Sequence, residues 1–389
     1  MTDAPGRVPP ARLFLLFLRL GITAFGGPAM IAHIRELSVI RNRWLREETF
    51  KDGVVLCQSM PGATAMQMAA YVGLRAGGLR GAITSFVGFG LPAFVLMLVL
   101  SACYTGSSEL PPVVSLFHGL QVVVVAIVAN ATFLFGRDIG KRPGDLFIAP
   151  VSAALFWLGV SPFAVIVGAA IAGIVLFKDS TLPPSSGKNG EKPGQVPKPI
   201  LLFLGLAGAA VAGLYFADRK LYHLANVMLR IDLFAFGGGF ASVPLMFHEI
   251  VNVKGWLDGK TFMDGIALGQ ITPGPIVITA TFVGYLVRGV VGSLVATIAI
   301  FTPSFVILVA VTPFFDRLKE VRYFSRATRG ILASFVGLLF YMTVRFAVAV
   351  PWEPIKVLFG IAVVIALARK MNILYVVLVA SALSIVLFR

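Results

Sequence analysis

The sequence predicts an all-α polytopic membrane protein built from two inverted-topology repeats of about six hydrophobic segments each plus one spacer helix, about 13 segments in all, with broken or re-entrant helices among them. Three observations predict it. Of the 389 residues, 58% are apolar and 13% charged, against about 25% charged in an ordinary soluble chain. The apolar residues fall in blocks of roughly 17–25, the length that crosses a hydrocarbon core of about 30 Å. The second half of the chain repeats the first, while equivalent loops differ in charge. This composition excludes an ordinary water-soluble enzyme or DNA-binding protein. A net charge of +15 would suggest nucleic acid in a soluble domain. Here Lys and Arg lie mostly between apolar blocks, where they set membrane orientation, so lipid and not nucleic acid is the expected partner.

After the polar leader MTDAPGRVPP, the first segment runs from about 11 to 31. It resembles a secretory signal, but Arg19 interrupts it and a related segment recurs deep in the chain, so it is expected to stay in the mature protein. Further segments follow at about 52–74, 79–103, 113–136, 146–158 and 161–177, completing a first repeat over 1–177. The Pro-, Gly-, Ser- and Lys-rich stretch 178–199 reads as a flexible, cytoplasmic linker. A spacer helix occupies 200–217, and a second repeat over 218–389 has segments at about 221–243, 262–287, 290–314, 328–349, 354–368 and 372–388. The segments at 146–158 and 354–368 are short for a span.

The duplication is visible in its polar and glycine residues. Leu18-Arg19 and Ala24-Phe25-Gly26-Gly27 reappear 211 residues later as Leu229-Arg230 and Ala235-Phe236-Gly237-Gly238. With one residue inserted, Trp44-Leu45, Asp52-Gly53, Gln58 and Pro61-Gly62 recur as Trp256-Leu257, Asp264-Gly265, Gln270 and Pro273-Gly274. The offset then returns to 211 for Gly78, Gly81 and Pro92, matched by Gly289, Gly292 and Pro303. Such repeats recur in secondary transporters.

Charge orients the copies. The loop 104–112 has no Lys or Arg, whereas its counterpart at 316–329 holds Arg317, Lys319, Arg322, Arg326 and Arg329. The first is therefore expected outside and the second in the cytoplasm. Six segments per half would leave both copies parallel, so the lone helix at 200–217 supplies the inverting crossing, with the N-terminus inside and the C-terminus outside. One loop disagrees: 33–51 carries Arg35, Arg41, Arg43, Arg46 and Lys51 yet falls outside in a 13-crossing scheme. A re-entrant hairpin at 52–74, broken at Pro61-Gly62, would return it to the inside.

Three paired features carry chemistry. Arg19 and Arg230 interrupt apolar helices, where a central arginine costs at least about 2.5–3.5 kcal/mol. Each either snorkels to headgroups or offers a fork of donors to an oxyanion. Gly26-Gly27 and Gly237-Gly238 break their helices, by close packing or to expose a new N-terminus whose N–H groups favour an anion. The Gln-x-x-Pro-Gly elements, Gln58 to Gly62 and Gln270 to Gly274, are broken segments at matching positions, the pattern that marks a transporter binding site. Gln58, Gln270, Thr64 and Thr272 supply side-chain donors, and Pro61-Gly62 and Pro273-Gly274 the breaks; a kinked helix capping its own backbone is the alternative. Asp232 stands where the first half has Gly21, and either couples an ion by relaying protons or offsets Arg230. Asp52 and Asp264 flank segments, as helix caps do.

No cofactor or metal is expected. The four histidines do not pair between halves, Cys57 and Cys103 have no CxxC or His partner, and the GKT at 259–261 lacks the glycine of a phosphate-binding loop. Without an ATPase signature, transport must draw on an ion gradient or the membrane potential. A membrane-embedded enzyme lacks a nucleophile–base or metal constellation, and a pure scaffold does not account for paired intramembrane arginines.

FLRLGITAFGGP (17–28), RNRWL (41–45), CQSMPG (57–62) and GQITPGP (269–275) resemble the chromate transporter family in its long, two-half form. The resemblance covers nearly the whole chain outside the linker. It implies a multi-pass protein of the bacterial inner membrane that exports chromate, with sulfate as the structural mimic; separately from the resemblance, a homodimer is carried as a candidate assembly, which the sequence alone does not fix. The family's Pro-Gly-Pro is complete at 273–275 but reads Pro-Gly-Ala at 61–63, which leads to the expectation that the two halves bind unequally.

Overall fold

The computed structural model describes residues 7–25, 27–107, 110–139, 143–177, 198–315 and 321–388. Gly26, most of the polar linker, and Arg317 and Lys319 of the basic loop lie outside the described residues. All regular elements among the described residues are helical, as composition requires of a lipid-embedded chain.

The first half opens with α1 (Pro10–Thr23), whose proline at the first helical position is pre-set for a helix start. After the break at Ala24 and Phe25, α2 (Gly27–Arg35) runs into a π-turn at Glu36–Arg41. Next comes α3 (Glu47–Ser59), with two glutamates in its first turn that suit the helix dipole. α4 (Thr64–Ser107) reverses at Gly78, where φ is 68° and a side chain would be strained. Its two limbs are tightly antiparallel: Ser85 Oγ donates to the Ala69 carbonyl at 2.8 Å, and a Cβ on Gly73 or Gly81 would strike the other's carbonyl oxygen. The serine at 85 and the glycines at 73 and 81 are therefore packing residues.

These contacts settle the disputed loop. Tyr71 Oη donates to the Thr49 carbonyl at 3.2 Å, so α3 descends beside the first limb of α4 and the chain returns to its starting face. Arg12 Nη2 reaches Asn42 Oδ1 at 3.5 Å, which brings the start of α1 level with the turn after α2. Val8 N donates to the Ala76 carbonyl at 3.0 Å on that same face. Both broken segments are re-entrant hairpins. The arginines at 12, 35, 41, 43 and 46 then share the N-terminal face with the Gly78 turn, and the conflict with the positive-inside rule disappears.

The remaining elements of the half are α5 (Pro111–Ile139) and the short pair α6 (Pro143–Trp157) and α7 (Pro162–Leu176), which begins and ends on one face, with Gly144 against the Phe177 ring. α8 (Lys198–Ala217) follows. The second half matches element by element: α9 (Arg219–Phe234), α10 (Gly239–Phe247), a π-turn at His248–Val253, α11 (Gly259–Ile271), a 3-10 turn at Ile276–Ile278, and α12 (Thr279–Val311), which reverses at Arg288–Gly289. Then come α13 (Arg322–Ala349), α14 (Pro354–Ala368) and α15 (Ile373–Leu387). Asp218 caps α9 and accepts from Arg288 Nε at 2.8 Å, tying the hairpin base to the α12 turn. The Leu221 N–H, then the Arg288 guanidinium, hold the Asp218 carboxyl below its ordinary pKa.

Thirteen crossings is therefore an overcount. The segments at 11–31, 52–74, 221–243 and 262–287 enter and leave on one face. Parity is untouched, because each hairpin removes a crossing that a broken spanning helix would add, two per half. Each half still returns to the face it started from, and α8 inverts the second. The helix pair α5 and α13 confirms this. Arg329 Nη2 lies 3.4 Å from the Ile139 carbonyl, and a Cβ on Gly136 would sit 3.5 Å from Val336, so the two helices run antiparallel. Their Thr132 and Thr343 hydroxyls touch at 3.1 Å and are 211 residues apart. Equivalent residues meeting on antiparallel helices mark a local two-fold axis across the helices, the geometry of an inverted repeat.

Single cysteines at Asn42, Gly106 and Tyr323, in a background lacking Cys57 and Cys103, test this arrangement with an impermeant thiol reagent. Positions 42 and 323 are expected to label only from the cytoplasmic face and 106 only from outside. Labelling of 42 and 106 from the same face would restore a crossing at 47–77.

Candidate functional site

The four hairpin tips meet in the middle of the molecule, each half contributing two. Met60 is extended before Pro61 (φ −112°, ψ 158°), and Pro61 offers no N–H to continue a helix. Gly62 then takes φ 112° and Gly274 takes φ 113°. The same backbone thus forms in both Pro-Gly breaks, although only the second carries the following proline. Gly62 N donates to the Ala235 carbonyl at 2.9 Å, and Gly274 N donates to the Ala24 carbonyl at 3.0 Å. Each Pro-Gly tip is thereby bonded to the Phe-Gly tip of the opposite repeat, with an antiparallel bridge between Pro61 and Phe236. Packing follows the same crossing. A Cβ on Gly62 would collide with Ser304, and one on Gly274 would sit 2.9 Å from Ala93 Cβ; Ser304 and Ala93 each follow a matched kink proline, Pro303 and Pro92.

Helix N-termini converge here. At Gly238, where φ is 91°, a Cβ would lie 3.2 Å from Thr64 Oγ1; at Gly239 one would lie 3.1 Å from Ile276 Cγ2 and 3.9 Å from its N. The beginnings of α10, α4 and the turn leading into α12 are therefore neighbours. The first N–H groups of a helix have no partner within it and carry partial positive charge, so three such ends from two halves form an anion-favouring cradle. Gln270 Nε2, at the end of α11 beside this cradle, is buried and has no hydrogen-bond partner. A buried unpaired donor is uncommon and calls for a ligand or water.

The tips bring together most sequence-predicted residues. Pro61, Gly62, Thr64, Gly237, Gly238, Gln270, Thr272, Pro273 and Gly274 lie in or beside them, with Gly237 packed on Leu332 and Phe135. Thr272 Oγ1 is already committed to the Gly269 carbonyl at 2.9 Å. Gly27 opens α2 and Gly26 lies outside the described residues. Gln58 is exposed near the end of α3. The arginines do not reach the tips. Arg230 forms an ion pair with buried Glu249 and stacks 4.7 Å over Phe163. Arg19 is exposed on α1 and forms no ion pair among the described residues; the first half has Leu37 where Glu249 stands in the second.

Two expectations about aspartates change. Asp52 and Asp264 are not caps but sixth residues of α3 and α11, and Asp258 caps α11 by accepting from Thr261 N at 2.8 Å. Asp264 instead accepts from Tyr104 Oη and Gln121 Nε2, both at 2.9 Å, across the two halves. Asp232 does not offset Arg230: residues two apart on a helix do not face each other, and Asp232 turns inward to accept from Ser304 N at 2.7 Å. Gln67, which the repeat does not flag because it is unmatched, donates to the Pro61 carbonyl at 2.7 Å. Its signal in the sequence was a lone amide in the apolar run after a break.

Known proteins share the two-half organisation of the sequence. Residues 11–174 and 222–385 each match the family described as Chromate transporter. An uncharacterized transporter of Methanocaldococcus jannaschii is 43% identical over 379 residues, covering 96% of this chain and 93% of that one. A chromate transport protein of Cupriavidus metallidurans is 30% identical over 86% of this chain and 84% of its own. One of Pseudomonas aeruginosa is 29% identical over 98% of this chain and 94% of its own. No solved structure matches.

Gly238→Leu is expected to weaken chromate binding by tenfold or more, about 1.4 kcal/mol per tenfold, after correction for folded protein, because the side chain fills the cradle. Gly77→Ala, whose Cβ would meet only the flexible Leu13 tip and the Val8 carbonyl, should lower thermal stability and leave affinity unchanged. Equal affinity in both variants would remove the cradle from the binding site.

Proposed function

The chain belongs to the chromate transporter family, and from that premise we propose that it is a secondary transporter exporting chromate, a tetrahedral divalent oxyanion, across the bacterial inner membrane. The observation that carries the reading is the cluster of helix N-termini at Thr64, Gly239 and Ile276 beside the unpaired Gln270 amide. These groups are donors, as an oxyanion requires, and they come from both repeats, so one repeat moving against the other changes which face the anion sees. The Cupriavidus and Pseudomonas relatives are named for chromate transport, which supports the substrate. An inside-negative potential suffices as the driving force: moving two negative charges outward releases about 4–5 kcal/mol per 100 mV.

Arg19 is the cation in this reading, drawing the dianion toward the tips from the cytoplasmic face. Arg230 is held by Glu249 and serves to close the second hairpin. Sulfate shares the charge and shape of chromate and is the expected competitor.

Chromate flux into inverted vesicles tests the proposal, with sulfate, molybdate and phosphate as competitors. Uptake is expected with the wild type, strongest competition from sulfate, and loss of most flux in Arg19→Ala and Arg230→Ala at matched protein levels. Arg→Lys at either site should rescue only in part, since it keeps the charge but not the fork. Absence of chromate flux in well-folded protein would end the reading, and normal flux in both alanine variants would exclude the arginines from it.

A further inference from the structure

Four carboxylates are buried among the described residues: Asp145, Asp232, Glu249 and Asp264. Asp145 is paired with Arg329 and Glu249 with Arg230. Asp264 has each oxygen occupied by a donor, Tyr104 and Gln121. Asp232 is different. It is 0% exposed, its Oδ2 accepts from Ser304 N, and its Oδ1 has no partner. Gln67, also 0% exposed, donates its amide to the Pro61 carbonyl and approaches the Ser304 carbonyl at 3.5 Å, while its Oε1 has no partner. Two orphan acceptors from opposite repeats thus flank one residue, immediately beneath a hairpin tip.

Their connection to the tip is direct. The Asp232 carbonyl accepts from Ala235 N at 3.2 Å, and the Ala235 carbonyl accepts from Gly62 N. A Cβ on Gly62 would lie 3.1 Å from Ser304 Oγ and 3.2 Å from Gln67 Nε2. Asp232 stands in the last turn of α9, the negative end of the helix, which favours a cation there.

Charge around it is sparse. On its own helix, Arg230 faces away and is neutralised by Glu249, and His223 and Tyr222 are more than two turns distant. Of the elements packed on α9, α10 carries no ionisable residue, α8 offers only Lys198 and Tyr215 near its two ends, and α12 offers Tyr285 and Arg288, the latter paired with Asp218 at the outer turn. On the first limb of α4, which presents Gln67, the ionisable residues are Tyr71 and Arg75. A bare carboxylate with no neighbouring countercharge is expensive in this setting.

We propose that Asp232 is a proton-binding site which is occupied when the tips are closed, and that the proton binds together with the oxyanion. The second part rests on the oxyanion reading above; the first does not. One proton from solvent forms an O–H bond at Oδ1 and neutralises the charge, on the N–H side of the same Ser304 whose carbonyl Gln67 approaches. A metal cation would need several ligating side chains, and no group of three or more His, Cys, Asp or Glu is gathered among the described residues. A dianion held at the adjacent N-termini repels an ionised Asp232 and favours the protonated one, so anion and proton bind cooperatively. The 1:1 complex carries one net negative charge outward, still in the direction an inside-negative potential drives it.

The test uses the full chain in lipid nanodiscs. An infrared difference spectrum between wild type and Asp232→Asn, without any anion, should show a protonated carboxyl C=O band near neutral pH. Its absence in folded protein would overturn the proposal. Chromate affinity is then measured over a pH range in which chromate stays doubly deprotonated. Wild type should lose affinity by up to about tenfold per pH unit, and Asp232→Asn should show a flat profile at the tight-binding level. Proton uptake on chromate addition, read with an indicator dye in weak buffer at an alkaline pH where the anion-free protein has lost the carboxyl band, should approach one per anion in wild type and vanish in the variant. Affinity that follows sodium at fixed pH, or no proton uptake with normal chromate binding, would overturn the linkage. A carboxyl band with no chromate bound at any pH would sustain the proton site and sink the oxyanion reading instead. If Asp232→Asn does not fold, Gln67→Leu serves in its place: a shifted carboxyl band supports the cluster and an unshifted one removes Gln67 from it.

Discussion

Two backbone hydrogen bonds organise this molecule: Gly62 N to the Ala235 carbonyl and Gly274 N to the Ala24 carbonyl. In a bilayer a helix that stops half-way leaves several N–H and C=O groups without partners, each costing several kcal/mol. Four helices stop half-way here. Their broken ends are tolerable because each tip finds its partner in the opposite repeat, so neither repeat can be satisfied alone. The glycines at 62 and 274 are required at φ near 112° for their N–H groups to point across. Everything else, the crossed packing on Ser304 and Ala93 and the gathering of helix starts, follows from that exchange.

The exchange also explains how a symmetric scaffold acquires asymmetric chemistry. The backbone breaks repeat at the same angles, but the side chains around them do not. Gly21 presses so closely on the Phe89 carbonyl that a Cβ would strike it. At the matched place in the second half stands Asp232, reaching the backbone of the opposing limb at Ser304. Arg230 has Glu249, whereas Arg19 has Leu37 in the corresponding position. The repeat therefore fixes where the helix starts gather, and the divergence between copies gives the two sides different charge. Two identical faces would have no such built-in distinction.

Much of this was legible in the sequence because it was written in residues lipid does not tolerate by accident. The paired Gly-Gly and Pro-Gly breaks, the fixed offset and the basic loops led to the inverted repeat, and Pro61-Gly62 already suggested a hairpin where charge and crossing count disagreed. What hydropathy could not show is that the first segment of each half is also a hairpin, since a window about twenty residues long looks the same folded back or running through. Only a contact such as Arg12 to Asn42 separates the two. The aspartates were misread for a related reason. Asp264 sits near a segment boundary in the sequence, but its partners Tyr104 and Gln121 come from the other half, and no local pattern announces a cross-repeat hydrogen bond.

Half-helices that meet tip to tip bring both kinds of helix end to one depth. The starts of α4, α10 and the turn into α12 are positive, and the ends of α1, α3, α9 and α11 are negative. An arrangement with only N-termini at its centre would attract an anion strongly and release it slowly, which suits a receptor more than a carrier. Here each N-terminal end lies a few residues from a C-terminal one, so the positive field at the tips is local and depends on how the hairpins meet. The negative ends next to it are where a cation or a proton is favoured, and the one buried acid in a final turn among the described residues, Asp232, occupies such an end. Under the proposed function, binding strong enough to select a dianion and weak enough to let it go needs no separate gate: the same tips that close the protein would create the site, and parting them would dissolve it.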